Sequence, residues 1–149
     1  MGPLTDIDTL QRLAIAMIAG AALGFERRVA NKPAGIRTYM LVVEGAALFM
    51  ICSIMLSSQL LAAGHVSDPT RIASTVVQGI GFLAGGLILS RGTNVLNLTT
   101  AAGIWVAAAI GLLIGAGFYP IAIAATIATI VSVSILREVE IRFDLKDED

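Results

Sequence analysis

The sequence predicts an all-α protein, a polytopic membrane helix bundle of about five transmembrane helices. Of its 149 residues, 56% are hydrophobic and only 14% are charged, and the mean hydropathy is +0.85. A soluble domain carries about 25% charged residues, so much of this apolar surface must face lipid. The charges also crowd into residues 26–37 and 137–149. Such segregation is typical of a membrane protein and excludes a disordered chain.

Five apolar segments approach the roughly 17–25 residues that a membrane-spanning helix needs. They lie at about residues 9–25, 39–56, 72–89, 98–114 and 118–136. We expect a single transmembrane domain over residues 1–149, ending in a charged tail at 137–149 that extends the last helix. The first segment differs from a signal peptide because acidic residues precede it and Arg27 and Arg28 follow it. It is therefore interpreted as a retained helix.

The lysines and arginines predict the orientation of the bundle. One side holds eight of the ten, namely Arg27, Arg28, Lys32, Arg37, Arg91, Arg137, Arg142 and Lys146. The opposite side holds two, Arg12 and Arg71, both at helix edges. Positive residues accumulate on the cytoplasmic side of membrane proteins, so we expect the N-terminus outside and the C-terminus in the cytoplasm.

Glu44 is the most unusual residue of the predicted helices. It lies about one and a half turns inside the second helix, where a carboxylate must be protonated, paired or exposed to a wet cavity. Arg37, two turns earlier on the same face, or Arg27 at the end of the first helix could pair with it. Two interpretations stay open: a buried ion pair that holds two helices together, or a carboxylate that binds a proton or cation.

Further polar residues suggest a polar cluster or ion site near the cytoplasmic ends of the helices. The candidate set is Glu26, Arg27, Arg37, Thr38, Glu44, Gln78, Thr99, Thr100 and Trp105. The positive ends of the second and fourth helices point toward this region and, with Arg37, would favour an anionic group, either Glu44 or Glu26. Because a tryptophan of the interfacial belt would lie at a helix end, mid-helix Trp105 is expected to face the bundle interior.

Three glycine pairs have the spacing that allows membrane helices to approach closely. They are Gly20 and Gly24, Gly81 and Gly85, and Gly111 and Gly115. Small residues at this spacing predict a tightly packed bundle or a homo-oligomer. The glycine-rich run 79–86 also permits a flexible or partly unwound helix at a transport site, so both interpretations stay open.

Several function classes find no support in the sequence. No nucleophile–base pair, phosphate loop or metal-ligand cluster is evident, so we expect no enzyme and no cofactor, and a metal stays unassigned. A net charge of −1 without a basic patch gives no indication of nucleic-acid binding. The single Cys52 lies in an apolar run, and the single His65 is interpreted as a solvated loop residue.

Four motifs together resemble the transmembrane domain of the MgtC/SapB family. They are Gly20-Ala21-Ala22-Leu23-Gly24-Phe25-Glu26-Arg27, Ala34-Gly35-Ile36-Arg37-Thr38, Gly79-Ile80-Gly81-Phe82-Leu83 and Leu98-Thr99-Thr100-Ala101-Ala102-Gly103-Ile104-Trp105. The resemblance covers nearly the whole chain. It implies a five-helix domain in the bacterial inner membrane, linked to growth in low magnesium and to survival of pathogens in macrophages. The best-known members are regarded as regulators that restrain the rotary ATP synthase and affect phosphate uptake through a sensor kinase.

This sequence departs from the family pattern in three places. Ala84-Gly85 inverts the usual order, and Glu44 stands where an apolar or small residue is expected. The chain also ends shortly after the fifth helix, where the best-known members continue into a cytoplasmic ACT-like domain, so only the properties of the membrane part carry over.

Two functions follow as expectations. The first is a non-enzymatic regulator linked to magnesium and phosphate stress, which docks its helices against another inner-membrane complex or against copies of itself. The alternative is a small oligomeric cation transporter or channel, for magnesium or coupled to protons, that uses Glu44.

Overall fold

The computed structural model describes residues 4–91 and 94–143. Its helices are α1 (Asp6–Val29), α2 (Ile36–Ala62), α3 (Thr70–Gly85), α4 (Leu98–Ala116) and α5 (Tyr119–Arg142). Two short antiparallel strands, β1 (Leu89–Arg91) and β2 (Asn94–Leu96), join α3 to α4. The predicted all-α bundle of five helices is confirmed, with a small hairpin added.

Four of these helices, α1, α2, α4 and α5, are long and apolar enough to cross a membrane. The chain is therefore a polytopic membrane protein. Helix α3 has 16 residues and a length of about 24 Å, less than the roughly 30 Å of a bilayer core.

The third predicted segment, 72–89, is thus corrected. Its helix starts two residues earlier, at Thr70, and ends at Gly85, and Leu89 already belongs to β1. Glycine is a poor helix former, and the pair Gly85-Gly86 lies at the point where the helix stops.

Local sequence signals explain how other helices begin and end. Thr5 and Asp8 form a capping box at the start of α1, in which each residue's side chain accepts the other's backbone N–H at 3.1 Å. Helix α4 ends at Ala116 and is followed by Gly117, whose φ of +86° suits glycine, and Phe118 N–H donates to the Leu113 carbonyl at 2.9 Å. This tight turn leads directly into α5, which continues to Arg142. Residues 144–149 of the predicted tail lie outside the described residues.

Helix α4 occupies the centre of the bundle and contacts the other four helices. Half of its apolar span is buried inside the chain, compared with 11% for α5, which lies at the periphery. The core around α4 is built largely from small and β-branched residues, including Val43, Ala47, Ala107 and Ile110.

Glycines of α1 set its close approach to α2. A Cβ atom at Gly24 would lie 2.5 Å from the Cα atom of Ile36, and one at Gly20 would lie 2.7 Å from the Cα atom of Met40. Both distances are shorter than any real Cβ contact, so a side chain at either position would push the two helices apart.

Glycines of α4 likewise allow this helix to approach α2 closely. A Cβ atom at Gly115 would lie 2.6 Å from the Ala47 carbonyl oxygen, and one at Gly111 would overlap the Val43 carbonyl oxygen. Helix α2 is therefore held between the glycines of α1 and those of α4.

The third glycine pair behaves differently. Nothing within the described part of the chain lies within 4 Å of a Cβ atom built at Gly81 or Gly85. The run through Gly85 is continuous α-helix, so the interpretation of a partly unwound segment is corrected. These two glycines pack against no helix of the described chain.

Candidate functional site

A small cavity lies at the end of the bundle where α1 ends and α4 begins. It has a volume of about 150 Å³, and its polar lining residues are Glu26, Arg27, Tyr39, Thr99 and Thr129. We call this cavity the polar pocket. Helices α1, α2, α4 and α5 all contribute to its wall, so it forms only when the bundle is assembled.

Arg27 is the buried cation of the polar pocket. It stands in the last turn of α1, is 4% exposed, and its Nη2 atom donates a hydrogen bond to the Thr100 hydroxyl at 2.6 Å. Its Nε atom has no hydrogen-bond acceptor among the described residues. A guanidinium held by a neutral hydroxyl retains most of the desolvation cost of its charge.

Glu26 faces α5 rather than its sequence neighbour. Its Oε1 atom lies 3.8 Å from Arg137 Nη1, and its side chain is 10% exposed compared with 35% for Arg137. At that distance the pair is an ion pair without a hydrogen bond, and Oε1 has no hydrogen-bond donor within the described residues.

A second cavity of about 110 Å³ adjoins the polar pocket, and we call it the outer cavity. The two cavities share Glu26, Arg27 and Thr99 in their walls. Lys32, Arg137 and Glu140 complete the charged lining of the outer cavity. Because Arg137 is partly exposed, the outer cavity lies between the polar pocket and the surface of the protein.

Tyr39 contributes a buried phenol to the wall of the polar pocket. It is 2% exposed, and its hydroxyl has no hydrogen-bond partner among the described residues. Gly103 lies directly opposite, since a Cβ atom there would collide with the Tyr39 hydroxyl oxygen. The glycine thus provides the space that the phenol occupies.

A second buried arginine lies at the opposite end of the bundle. Arg12 is 6% exposed, and its Nη1 atom donates a hydrogen bond to the carbonyl oxygen of Gly115. That carbonyl belongs to the last turn of α4, where backbone oxygens lack helical partners and where a cation is favoured by the helix dipole. Arg12 was predicted to lie at a helix edge, and this contact was not predicted.

The structure gathers four of the predicted site residues, Glu26, Arg27, Thr99 and Thr100, at the polar pocket. Arg37 and Thr38 instead line an open groove of about 620 Å³ between α2 and α3. They lie on a different face of α2 from Tyr39.

Glu44, Gln78 and Trp105 also lie apart from the pocket. Glu44 is half-buried, and within the described residues neither Arg27 nor Arg37 pairs with it. Gln78 is exposed on α3.

The expectation that Trp105 faces the bundle interior is corrected, because 50% of its surface is exposed. The buried face of α4 carries small residues such as Ala101 and Ala108. It packs too closely against its neighbours to admit an indole ring.

Tyr39, Thr129 and Arg137 are site residues that were not assigned to the cluster from the sequence. For Tyr39 a signal was available, since a buried tyrosine usually needs a partner for its hydroxyl. For Arg137 nothing in the sequence specifies which helix it reaches across to.

The chemistry available at the polar pocket is that of hydrogen-bond donors and charges. No group of three or more histidine, cysteine or acidic side chains placed to hold a metal ion occurs within residues 4–91 and 94–143. A guanidinium, a phenol and two threonine side chains lie there with one carboxylate.

Comparison with known proteins gives a consistent picture. The sequence model of the MgtC family matches residues 13–142. The chain is 45% identical over 132 residues to the Escherichia coli protein named "Putative magnesium transporter YhiD", covering 88% of this chain and 61% of that protein. It is 43% identical to the "Protein MgtC" of Brucella abortus, covering 84% and 50% of the two chains. It is also 43% identical to the "Protein MgtC" of Salmonella typhimurium, covering 85% of this chain and 51% of that protein.

The chain thus spans between half and about three-fifths of the length of these relatives. No solved structure matches it.

Proposed function

Because this chain belongs to the MgtC family, we propose that it is a non-enzymatic regulatory protein of the bacterial inner membrane. It is linked to magnesium and phosphate stress, and it acts by packing its own helices against a transmembrane helix of a partner protein. The membrane-spanning helices and the family membership support this proposal, and the surface of α3 is the surface through which contact would be made.

The observation that carries the proposal is the unpacked glycine face of α3. Gly81 and Gly85 have open space where a Cβ atom would lie, in contrast to the glycines of α1 and α4. Phe82, between them in sequence, is 83% exposed. Small residues at this spacing favour close helix–helix contact in membranes, so α3 offers a contact surface that the chain itself leaves uncovered.

The alternative is a small cation transporter or channel. It is favoured by the magnesium-transporter name of one relative and by Glu44, a carboxylate inside a membrane-spanning helix. The buried arginines weigh against a cation path through the bundle interior. Arg12 and Arg27 stand at its two ends, where their charges repel cations, and the buried Ile104, Ala107 and Ile110 lie between them.

A flux assay separates the two functions. The purified chain is reconstituted in liposomes and tested for transport of magnesium, protons and potassium, beside Glu44→Gln. We expect no flux above that of empty liposomes from protein shown to be folded and inserted. Flux that disappears in Glu44→Gln would contradict the regulatory proposal and establish the transporter.

A growth assay tests the contact surface. The chain is expressed in a bacterium that lacks its own family member, and growth is measured in low magnesium. We expect Gly81→Leu and Gly85→Leu to abolish its effect at normal membrane levels of the protein. Ala124→Leu, on the exposed side of α5, is the matched control and should act as the wild type. Equal activity of all three variants would remove the basis for docking through α3.

A further inference from the structure

We infer that the polar pocket is a binding site for an oxyanion, supplied either by free phosphate or by the phosphate of a lipid headgroup. Such binding is independent of whether the protein regulates a partner or transports a cation, so it goes beyond the proposed function. It is carried by the charge balance of the pocket, its buried donors, and its access from the surface.

The polar pocket holds one carboxylate and one guanidinium, and these two groups are not paired with each other. Arg27 is almost fully buried, yet its described partner is the neutral hydroxyl of Thr100. Its sequence neighbour Glu26 pairs with Arg137 of α5 instead. A buried guanidinium that is not paired with a carboxylate is unfavourable, and a bound anion would supply a charged acceptor for Arg27.

The start of α4 adds positive potential at the same place. Thr99 lies in the first turn of α4 and lines the pocket, while Asn97 provides no side-chain cap for this helix. Helix N-termini favour anions. At the other end of α4, Arg12 lies against the negative end of the helix dipole, whereas Arg27 lies against the positive end, where a cation alone is disfavoured.

Two buried donors face the pocket without acceptors among the described residues. These are the Nε–H group of Arg27 and the hydroxyl of Tyr39, which is 2% exposed. The Tyr39 hydroxyl itself occupies the space that Gly103 leaves, so its position is fixed. Donors that approach from α1 and α2 suit a ligand with several oxygen atoms better than a monatomic ion.

The outer cavity provides a route for the ligand. Its charged lining holds three cations, Arg27, Lys32 and Arg137, and two carboxylates, Glu26 and Glu140. The excess of positive charge favours the entry of an anion. The two cavities, of about 150 Å³ and 110 Å³, have room for a phosphate group, with the rest of a lipid remaining outside.

The test uses the full chain, purified in a maltoside detergent and freed of lipid. Its thermal unfolding is followed with increasing sodium phosphate, and with sodium chloride at matched ionic strength. We expect phosphate to raise the unfolding temperature in a saturable manner and chloride to have no such effect. Tyr39→Phe should weaken the apparent affinity for phosphate about tenfold to a hundredfold, because it removes one hydrogen bond to a charged ligand.

Matched variants control for general effects. Tyr119→Phe changes the other tyrosine of the chain, which lies at the start of α5, and should leave phosphate binding unchanged. Arg27→Gln should abolish the response, and Arg12→Gln should preserve it. Since Arg27→Gln could also prevent folding, the pair of tyrosine variants carries the test.

A parallel titration with phosphatidic acid in the same detergent identifies the source of the phosphate. Stronger stabilisation by the lipid, weakened in Tyr39→Phe, would assign the site to a headgroup. Stronger stabilisation by inorganic phosphate would assign it to the free ion. If neither stabilises the wild type more than chloride does, or if Tyr39→Phe responds as the wild type, the inference is wrong and the pocket holds water alone.

Discussion

At the residue scale, two arginines of α1 hold the two ends of α4 by different means. Arg12 donates to a carbonyl of the last turn of α4, and Arg27 donates to a hydroxyl of its first turn. The first contact combines hydrogen bonding with a favourable helix dipole, whereas the second opposes the dipole. The two contacts therefore differ in how much they stabilise the fold, and we expect most of the stabilisation from Arg12.

Replacing Arg12 tests its structural role. Arg12→Gln shortens the side chain and leaves the Gly115 carbonyl without its donor, so we expect a loss of about 1–3 kcal/mol in the free energy of unfolding. Unfolding in detergent, followed by circular dichroism, measures it. Arg71→Gln, at an exposed position of α3, should stay within about 0.5 kcal/mol of the wild type. Equal stability of the two variants would show that the Arg12 contact contributes nothing.

Three of the five polar residues that line the polar pocket, and Thr100 beside it, were identified from the sequence. Glu26, Arg27 and the threonines of α4 were found because ionisable and polar groups stand out among apolar residues. Tyr39 was missed because its role depends on Gly103, a position on another helix where the absence of a side chain makes the room. Such complementarity between distant positions cannot be obtained from spacing along one helix.

At the element scale, glycines with the same spacing differ in what they contact. Those of α1 and α4 meet the backbone of α2, whereas those of α3 meet open space. The i, i+4 pattern predicts that a helix can be approached closely, and it does not specify by which helix. The distinction between internal packing and a free surface therefore needs the tertiary structure.

An alanine comparison makes this distinction measurable. Gly111→Ala places a methyl group onto the Val43 carbonyl, and such overpacking costs about 1–3 kcal/mol. Gly45→Ala, within α2 and with nothing near its Cβ position, should be neutral or stabilise by up to about 1 kcal/mol through helix propensity. Unfolding of both variants in detergent provides the measurement. A stable Gly111→Ala protein would refute the close packing of α2 on α4.

The start of every helix was predicted to within three residues, whereas the ends deviate more: the predicted α2 and α5 end six residues early and the predicted α3 ends four residues late. Sequence hydrophobicity continues through Leu87, Ile88 and Leu89, so the apolar run overestimates α3. In the structure these residues lead into the hairpin, and Asn97 donates from its side chain to the Leu87 carbonyl at 3.1 Å. Hydropathy records burial or lipid contact and does not distinguish a helix from a short strand.

Asp68, just before α3, gives that helix a dependence on pH. Its carboxylate accepts hydrogen bonds from the Thr70 backbone N–H at 2.9 Å and the Thr70 hydroxyl at 2.7 Å. These bonds, the hydroxyl's first, hold the pKa of Asp68 below its ordinary value of 3.8. Because the folded pKa is lowered, the stabilisation is present above that value and is lost as the pH falls through the folded pKa.

Hydrogen exchange at the first turn of α3 measures this effect. After correction for intrinsic exchange rates, we expect protection of residues 70–73 to be lower at pH 3 than at pH 5 in the wild type. Asp68→Asn should remove most of that difference, since it has no carboxylate to titrate. The same pH dependence in both proteins would exclude Asp68 as its origin.

At the scale of the whole molecule, α4 is a central helix that is apolar on all sides. A helix of this kind lacks a polar face that would show from sequence which side meets lipid, and this explains the wrong placement of Trp105. The fold class followed from composition because lipid and core both select apolar residues. Whether an individual side chain faces lipid or the protein core depends on how α4 is rotated against its four neighbours.

This central position leads to a prediction about coupling between the two ends of the bundle. Thr100 and Gly115 are separated by about 22 Å along α4, at 1.5 Å per residue. Changes more than about 10 Å apart without shared partners are additive within about 0.5 kcal/mol. The double variant Arg12→Gln/Arg27→Gln should therefore lose the sum of the two single losses in the free energy of unfolding, measured in detergent without added phosphate.

A neighbouring pair provides the contrast. Arg27→Gln and Tyr39→Phe change two groups that face one cavity, so their effects should deviate from additivity by at least about 0.5 kcal/mol. Additivity of the first pair with coupling of the second would mean that α4 is held by independent local contacts. Coupling between Arg12 and Arg27 would instead mean that α4 shifts as a rigid rod. Events in the polar pocket would then reach the opposite end of the bundle through movement of this helix.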